Sequence, residues 1–286
     1  MFYRILAQHR DLGWLSSYQQ ALPSQLWPAV FSRLYGKRPF ERIQHAYFFP
    51  KPFSSYKFWA RYLPGVARRD RPLTAEDVPE ASIEPLRKAI ERILRYQGKR
   101  RFLTKVTGWA RMAYFNRIFP DMQFIYLKRQ PISIVASWVN AGWLNVTGEL
   151  GTEAWEWGEV PQQYHEWWQE LGGGPLLSAA VKTQLDIDDF YCNYMQFSDR
   201  TYVLNYEDLV TDPRRYLCEV AEFCGLEWTP EFDGVVNRVK VRNYADRWKQ
   251  QIPEEKAGPV LEFFERANAQ NRVPEQVLPV AVRSQV

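Results

Sequence analysis

The stretch QFIYLKRQPISIVASWVN, residues 123–140, contains the pattern that decides the fold of this chain. Its first half, residues 124–127, is a short apolar run that follows Pro120 and Asp121, which is typical of a buried parallel strand. Pro131 has a fixed φ and no N–H, so it suits the first turn of a helix. The apolar residues after it recur at helical spacing. The stretch therefore predicts a strand, a turn and a helix.

Basic and hydroxyl side chains follow this predicted strand. Arg129 lies in the turn, and Ser133 and Ser137 are four residues apart, so they would share one face of the helix. Proteins of the α/β class bind anions beyond the carboxyl ends of parallel strands, next to helix N-termini. A guanidinium can donate two hydrogen bonds to a phosphate, and a hydroxyl can add a third. The alternative is structural, with Arg129 bound to surface carboxylates and the serines packed within the helix.

This segment resembles the 3′-phosphate-binding segment of sulfotransferases. An arginine follows an apolar strand, a proline stands two residues later, and a serine stands eight residues after the arginine. The resemblance implies that Arg129 and Ser137 bind the 3′-phosphate of 3′-phosphoadenosine 5′-phosphosulfate (PAPS). Gln130 stands where relatives usually have aspartate, a small departure that leaves the anion-binding argument intact.

A later run, YVLNYEDLVTDPRRYLCEVAEFCGLEW at residues 202–228, resembles another strand, loop and helix of the same family. Asp212 and Pro213 suit the start of its helix, and Gly225 suits the end. The resemblance implies that Tyr206 lies near the adenine of the cofactor.

Residues 239–249 are similar to the basic C-terminal loop that folds over the cofactor in this family. The resemblance implies that Arg242, Arg247 and Lys249 complete the 3′-phosphate site. The alternative is an ordinary basic surface loop.

A further strand is predicted over residues 102–106, with a crossover helix over residues 109–119 leading to the central strand. Such a βαβ unit gives parallel strands and would place Lys105 and Arg129 at one edge of the sheet. Lys105 begins a segment similar to the family's active site, which implies that Lys105 is catalytic and faces the sulfuryl group. Thr107 stands where animal cytosolic members have a catalytic histidine. Threonine cannot act as a base near neutral pH, so the general base stays open.

Glu41 and His45, four residues apart, could share a helix face and supply the base, or have a purely structural role. The chain begins with MFYRILAQH, which predicts a helix. In the family, a strand and a 5′-phosphosulfate-binding loop precede such a helix. We expect this loop to be missing from the sequence, either because the start is misassigned or truncated or because the protein has half of the cofactor site.

These patterns predict one α/β domain over residues 1–286, with a parallel central sheet flanked by helices. The resemblance implies the sulfotransferase form of the P-loop nucleoside triphosphate hydrolase-like fold. Two aromatic-rich segments, at about 14–71 and 143–174, are predicted to be insertions on the acceptor side of the site.

Composition limits the partners of the protein. Its net charge of +4 suits an anionic cofactor but is too small to indicate nucleic acid. The three cysteines form no CxxC pair, which argues against a disulfide framework or a zinc site and favours a cytoplasmic location. No apolar run approaches the length of a membrane span. We expect a small-molecule or carbohydrate acceptor and no metal. We also expect no nucleic-acid partner and no membrane partner. The oligomeric state stays open.

The leading hypothesis is a PAPS-dependent sulfotransferase that transfers a sulfuryl group to a hydroxyl or amine of an acceptor. The first alternative is a non-catalytic nucleotide-binding relative that has lost the 5′-phosphosulfate loop. The second alternative is a P-loop kinase, but the sequence contains no G-x-x-x-x-G-K-[ST] motif.

Overall fold

A computed structural model describes residues 1–44, 46–143, 148–239 and 245–270. Its strands are β1 Leu12–Trp14, β2 Arg101–Leu103, β3 Phe124–Lys128 and β4 Thr201–Asn205. Its α-helices are α1 Phe2–Leu6, α2 Ser17–Ala21, α3 Tyr56–Tyr62, α4 Glu80–Gln97, α5 Met112–Ile118, α6 Pro131–Asn140, α7 Gln162–Glu170, α8 Gly174–Phe197, α9 Tyr206–Thr211, α10 Pro213–Phe223, α11 Pro230–Arg238, α12 Trp248–Gln251 and α13 Glu254–Gln270. Short 3-10 helices cover Trp27–Leu34, Arg38–Phe40, Ala75–Asp77, Ser198–Arg200 and Ala245–Arg247. Across these described ranges, no helix combines the length and apolarity that crossing a membrane requires.

The chain divides into two compact units. Unit 1 comprises Met1–Arg68, Leu73–Met122 and Pro213–Val241, and unit 2 comprises Arg69–Pro72, Gln123–Asp212 and Arg242–Val286. Each unit contains a pair of parallel strands flanked by helices, which confirms the predicted α/β class. That the whole chain is a single domain stays a prediction.

The strands of unit 1 are fixed by a helix as well as by each other. β1 and β2 pair in parallel, with Leu12 opposite Arg101. The buried amide of Gln97, at the end of α4, donates to the Trp14 carbonyl at 2.7 Å and accepts from the Trp14 N–H at 2.9 Å. Gly13 permits this approach, because a Cβ there would lie 2.4 Å from Leu94 Cδ2. The sequence did not predict β1, since its three residues are all buried and show no alternation.

The core of unit 1 forms around α4. Its apolar stripe packs against aromatic side chains of α3 and α5, and this cluster includes Ile83, Leu86, Ile90, Ile93, Phe58, Trp59, Tyr114 and Phe115. The helical spacing of Ile83, Leu86, Ile90, Ile93 and Leu94 in the sequence predicts this helix, with Gly98 at its end. The structure confirms the helix, which ends at Gly98, whose φ of +66° suits glycine. The capping box at Thr74 is present but begins the 3-10 turn Ala75–Asp77, because α4 starts only after Pro79.

In unit 2 the predicted strand, turn and helix are confirmed. β3 and β4 pair in parallel, from Phe124 opposite Thr201 to Lys128 opposite Asn205. Pro131 occupies the first turn of α6. The apolar face of α6 packs against α8 and α13, and α12 packs against α6 as well. The carboxyl ends of β3 and β4 and the start of α6 thus lie in one unit.

Several predicted boundaries are wrong. The strand expected over residues 102–106 ends at Leu103, which leaves Lys105 in the following loop. The helix expected over residues 109–119 begins at Met112, because Arg111 has a left-handed backbone. Among the described residues, β2 pairs with β1 and β3 pairs with β4, so no observed ladder joins the two strands of the predicted βαβ unit. The segment after β4, expected as a loop, is α9.

Candidate functional site

The carboxyl ends of β3 and β4 bring two of the predicted site residues together. Lys128 and Asn205 are register partners, so the residues that follow them, Arg129 and Tyr206, stand side by side. The Arg129 guanidinium carbon lies 4.7 Å from the centroid of the Tyr206 ring, which is a cation–π distance. Because the ring covers one face of the guanidinium, hydrogen bonds to a ligand would form in the guanidinium plane.

The N-terminus of α6 begins directly after Arg129. The backbone N–H of Gln130 donates to the Glu207 carboxylate at 3.3 Å. The first N–H groups of a helix have no partners within the helix, and its dipole favours negative charge there. This end of α6 therefore already donates a hydrogen bond to a carboxylate oxygen.

The two serines of α6 have different surroundings. Ser137 is exposed, and its Oγ donates to the Ile134 carbonyl at 2.6 Å. Ser133 is only 2 % exposed. Residues four apart on a helix differ by about 40° in direction, which suffices to bury one and expose the other at the edge of a face. Since a hydroxyl can rotate towards a ligand, Ser137 remains available and Ser133 belongs to the core.

The predicted basic residues near the C-terminus are described in part. Arg242 lies outside the described residues. Arg247 and Lys249 are exposed on the segment formed by Ala245–Arg247 and α12, which packs against α6. Lys249 forms an ion pair with Asp246 at 2.9 Å. The structure thus brings this segment to the helix that carries Ser137.

Lys105 lines a small cleft in unit 1. The other lining residues are mostly aromatic or apolar, and they are Tyr56, Trp59, Val66, Val106, Arg111 and Phe115. Partial burial lowers the pKa of Lys105, and the positive charge of Arg4 lowers that pKa further. The residue is nevertheless exposed, so water screens part of both effects. The cleft combines a cation with a largely apolar wall.

A pair of hydroxyls belongs to the same cleft region. The phenol oxygen of Tyr56 lies 2.6 Å from Thr107 Oγ1, within hydrogen-bonding distance. Tyr56 was not predicted as a site residue, because it is remote from Thr107 in the chain and no local motif marks it. The Thr107 hydroxyl therefore shares a hydrogen bond with a phenol.

Arg111 fixes the loop that carries Lys105 and Thr107. It is only 6 % exposed, and its guanidinium donates to the carbonyls of Trp109 at 2.9 Å, Thr107 at 3.3 Å and Arg68 at 3.3 Å. Its φ is +52°. Such a backbone costs about 1–3 kcal/mol outside glycine and persists where surrounding contacts impose it.

Backbone strain is concentrated at this cleft. In the part of the chain that the structure describes, two non-glycine residues have a positive φ, Arg111 and Ser55. Ser55 is fully buried, donates to the Ser16 carbonyl at 2.9 Å and directly precedes Tyr56. Both strained residues thus position side chains that line the cleft. Strain of this kind clusters at functional sites, and neither residue carries a sequence signal for it.

The remaining candidates have structural contacts or are not described. His45 lies outside the described residues, and Glu41 lies 3.9 Å from Arg238 in a surface ion pair. No group of three or more His, Cys, Asp or Glu side chains among the described residues could hold a metal ion.

The predicted site residues are distributed over both units. Lys105 belongs to unit 1, and the other described site residues belong to unit 2, namely Arg129, Ser137, Tyr206, Arg247 and Lys249. Within unit 2 the structure brings Arg129 to Tyr206, and the segment of Arg247 and Lys249 to α6. That Lys105 and Arg129 lie at one edge of the same sheet stays a prediction.

Comparison with known proteins places this geometry in context. The profile of the sulfotransferase family matches residues 1–230. Sulfotransferase STF9 from Mycobacterium avium is structurally similar, with a TM-score of 0.56 and 14% identity, over 96% of this chain and 74% of that chain. The sulfotransferase domain from the curacin biosynthetic pathway has a TM-score of 0.50 and 16% identity, over 94% of this chain and 91% of that chain. No curated protein sequence matches. The two structures confirm the predicted fold.

Proposed function

Since this chain belongs to the sulfotransferase family, we propose that it transfers the sulfuryl group of PAPS to a hydroxyl or amine of a small-molecule or carbohydrate acceptor. The observation that carries the proposal is the stacking of Arg129 on Tyr206 at 4.7 Å, at the carboxyl ends of two parallel strands and next to the N-terminus of α6. This is where an α/β protein binds the phosphate of a nucleotide.

In this proposal unit 2 binds the donor by its 3′-phosphate. Arg129 donates a pair of hydrogen bonds to the phosphate and Ser137 donates another. Tyr206 contacts the adenine while it holds the guanidinium in place. The basic residues Arg242, Arg247 and Lys249 add positive charge around the same phosphate.

The chemistry is an in-line displacement at sulfur. The bond between sulfur and the 5′-phosphate oxygen breaks, a bond between sulfur and the acceptor oxygen or nitrogen forms, and the acceptor loses a proton. The products are the sulfated acceptor and adenosine 3′,5′-bisphosphate. Such a reaction depends on positioning and on the stabilisation of developing negative charge. The resemblance of its segment to the family's active site assigns this role to Lys105, so the reaction as proposed uses no metal.

The acceptor lies against the small cleft of unit 1. The aromatic and apolar wall of this cleft would contact one edge of a ring-bearing acceptor. The hydroxyls of Tyr56 and Thr107 orient the nucleophile of the acceptor by hydrogen bonding. The two hydroxyl oxygens lie 2.6 Å apart. Neither hydroxyl is assigned as the general base.

Two measurements test this function. Isothermal titration should detect binding of adenosine 3′,5′-bisphosphate, and its absence would refute the proposal. Release of the bisphosphate from PAPS, measured with a panel of phenols, amines and sugars, should depend on the acceptor and fall about 100-fold or more in Lys105→Ala. Lys88→Ala, a change at an exposed lysine of α4, is the matched control. Bisphosphate binding without any acceptor-dependent release would favour the non-catalytic relative.

A further inference from the structure

Unit 1 exposes a group of large apolar side chains, which we call the aromatic patch. It comprises Leu22, Trp27, Phe31, Tyr47 and Phe48. Tyr47 is 96% exposed and Phe48 is 66% exposed. Soluble monomers rarely leave contiguous apolar surface of this kind uncovered unless it is an interaction site.

Contacts through Tyr18 connect Trp27, Phe31 and Phe48 of the patch. The Trp27 and Phe31 ring centroids lie 5.9 Å apart, and those of Phe31 and Tyr18 lie 6.2 Å apart. The Tyr18 hydroxyl then donates to the Phe48 carbonyl at 2.8 Å. The 3-10 helix Trp27–Leu34 and the turn of Tyr47 and Phe48 are therefore neighbours.

The same part of unit 1 is strongly basic. Residues 22–57 contain six Lys or Arg side chains and a single acidic one, Glu41, whereas the whole chain has a net charge of only +4. Glu41 already lies 3.9 Å from Arg238. Lys37, Arg38 and Arg42 are exposed, and none of them takes part in an ion pair within the described residues. The chain segment that carries the aromatic patch therefore has an excess of positive charge.

The shape and chemistry of this surface distinguish between possible partners. Tyr47 and Phe48 project into solvent, whereas a peptide-binding groove would cover the side chains that line it. A soluble polyanion would bind the basic side chains and leave the aromatic ones in water. Projecting aromatic side chains with exposed Lys and Arg nearby in the chain suit an anionic bilayer, where the rings enter the interface and the cations meet the headgroups.

We propose that the aromatic patch, with Lys37, Arg38 and Arg42, binds unit 1 to the surface of an anionic lipid bilayer. The binding is peripheral and needs no spanning segment. It would replace the sequence-based expectation of no membrane partner, which considered only a membrane span. The proposal does not depend on the proposed transfer reaction, because it uses no residue of that site.

Flotation with vesicles tests the proposal on the full chain. The probes are phosphatidylcholine vesicles with about one third phosphatidylserine and pure phosphatidylcholine vesicles. The patch variants are Tyr47→Ser with Phe48→Ser, and Arg38→Glu with Arg42→Glu. The controls are Met195→Ser, an exposed apolar residue of unit 2, and Lys88→Glu with Arg92→Glu, which makes the same charge change on the exposed face of α4. Circular dichroism and the urea midpoint of unfolding check that each variant is folded.

The wild-type protein should float with the anionic vesicles, less so at high salt, and not with the neutral ones. Both patch variants should bind at least ~10-fold more weakly, while both controls bind as the wild type does. The proposal is overturned if the wild-type protein does not float, if the patch variants float equally well, or if the α4 control is equally impaired. Binding to heparin or polyglutamate without binding to vesicles would also overturn it, in favour of a soluble polyanion.

Discussion

Arg129 and Tyr206 follow register partners at the ends of β3 and β4, and the guanidinium of one lies 4.7 Å from the ring centroid of the other. The stacking restricts the guanidinium to a plane before any ligand arrives. A group that is already oriented loses less conformational entropy when it binds a phosphate. The relationship also explains why a tyrosine follows β4 at the point where an arginine follows β3.

Ser137 and Ser133 should respond in opposite ways to the loss of a hydroxyl. We expect Ser137→Ala to weaken bisphosphate binding by about 1 kcal/mol with no change in stability, since Ser137 is exposed and its hydroxyl can rotate to the ligand. Ser133→Ala should instead lower the free energy of unfolding by about 1 kcal/mol and leave the affinity unchanged, since Ser133 is buried. Titration calorimetry and urea unfolding measure both quantities. Equal losses of affinity in both variants would contradict the assignment.

Lys105 should make the reaction sensitive to pH. Burial and the charge of Arg4 lower the pKa of Lys105, so the amine loses its proton at a lower pH than an ordinary lysine does. Transfer should therefore decline as the pH rises through that lowered pKa. Lys105→Arg should remove the decline, because arginine stays charged. Arg4→Ala should move this decline to higher pH, because the positive charge that repels the Lys105 ammonium is removed.

The pH profile of kcat is the measurement, and Arg92→Ala, which removes an exposed charge from α4, is the control. A profile that is the same for the wild type, Lys105→Arg and Arg4→Ala would exclude Lys105 as the titrating group.

Arg111 should act on transfer through the loop that it holds. Arg111→Met removes donors to three backbone carbonyls and should cost about 1–3 kcal/mol of stability. It should also lower kcat about 10-fold or more, because the loop carries Lys105 and Thr107. Arg111→Lys should restore part of the stability and part of kcat. Bisphosphate binding, which we assign to unit 2, should change little. Full activity in a destabilised Arg111→Met would show that the residue is only structural.

The elements that the sequence predicts well are those with a strong local pattern. The strand, turn and helix at residues 123–140 and the strand before Tyr206 were predicted with correct types and near-correct bounds, since apolar runs and proline mark them. α4 was predicted because its apolar stripe is long and regular.

The features that sequence reasoning missed depend on distant contacts. β1 is held by Gln97 and β2, which lie far along the chain, and it has no alternation of its own. The hydrogen bond between Tyr56 and Thr107 joins separate segments. The left-handed backbones of Ser55 and Arg111 are imposed by buried contacts and not by residue type. Motifs could thus predict Arg129, Tyr206 and Lys105, and aromatic content could mark the segment at about 14–71, but the individual contacts that form the cleft could not be predicted.

Affinity for two nucleotides, measured by titration calorimetry on wild type and Arg129→Ala, tests the central claim that Arg129 binds the 3′-phosphate. Arg200→Ala is the matched control, because Arg200 also stacks on an aromatic ring, that of Phe197 at 5.4 Å, but precedes β4 and so lies at the opposite end of the strands. We predict that Arg129→Ala weakens binding of adenosine 3′,5′-bisphosphate by roughly 2–4 kcal/mol, while adenosine 5′-monophosphate, which has no 3′-phosphate, binds wild type and variant alike. An unchanged affinity for the bisphosphate, or an equal loss in Arg200→Ala, would contradict the claim.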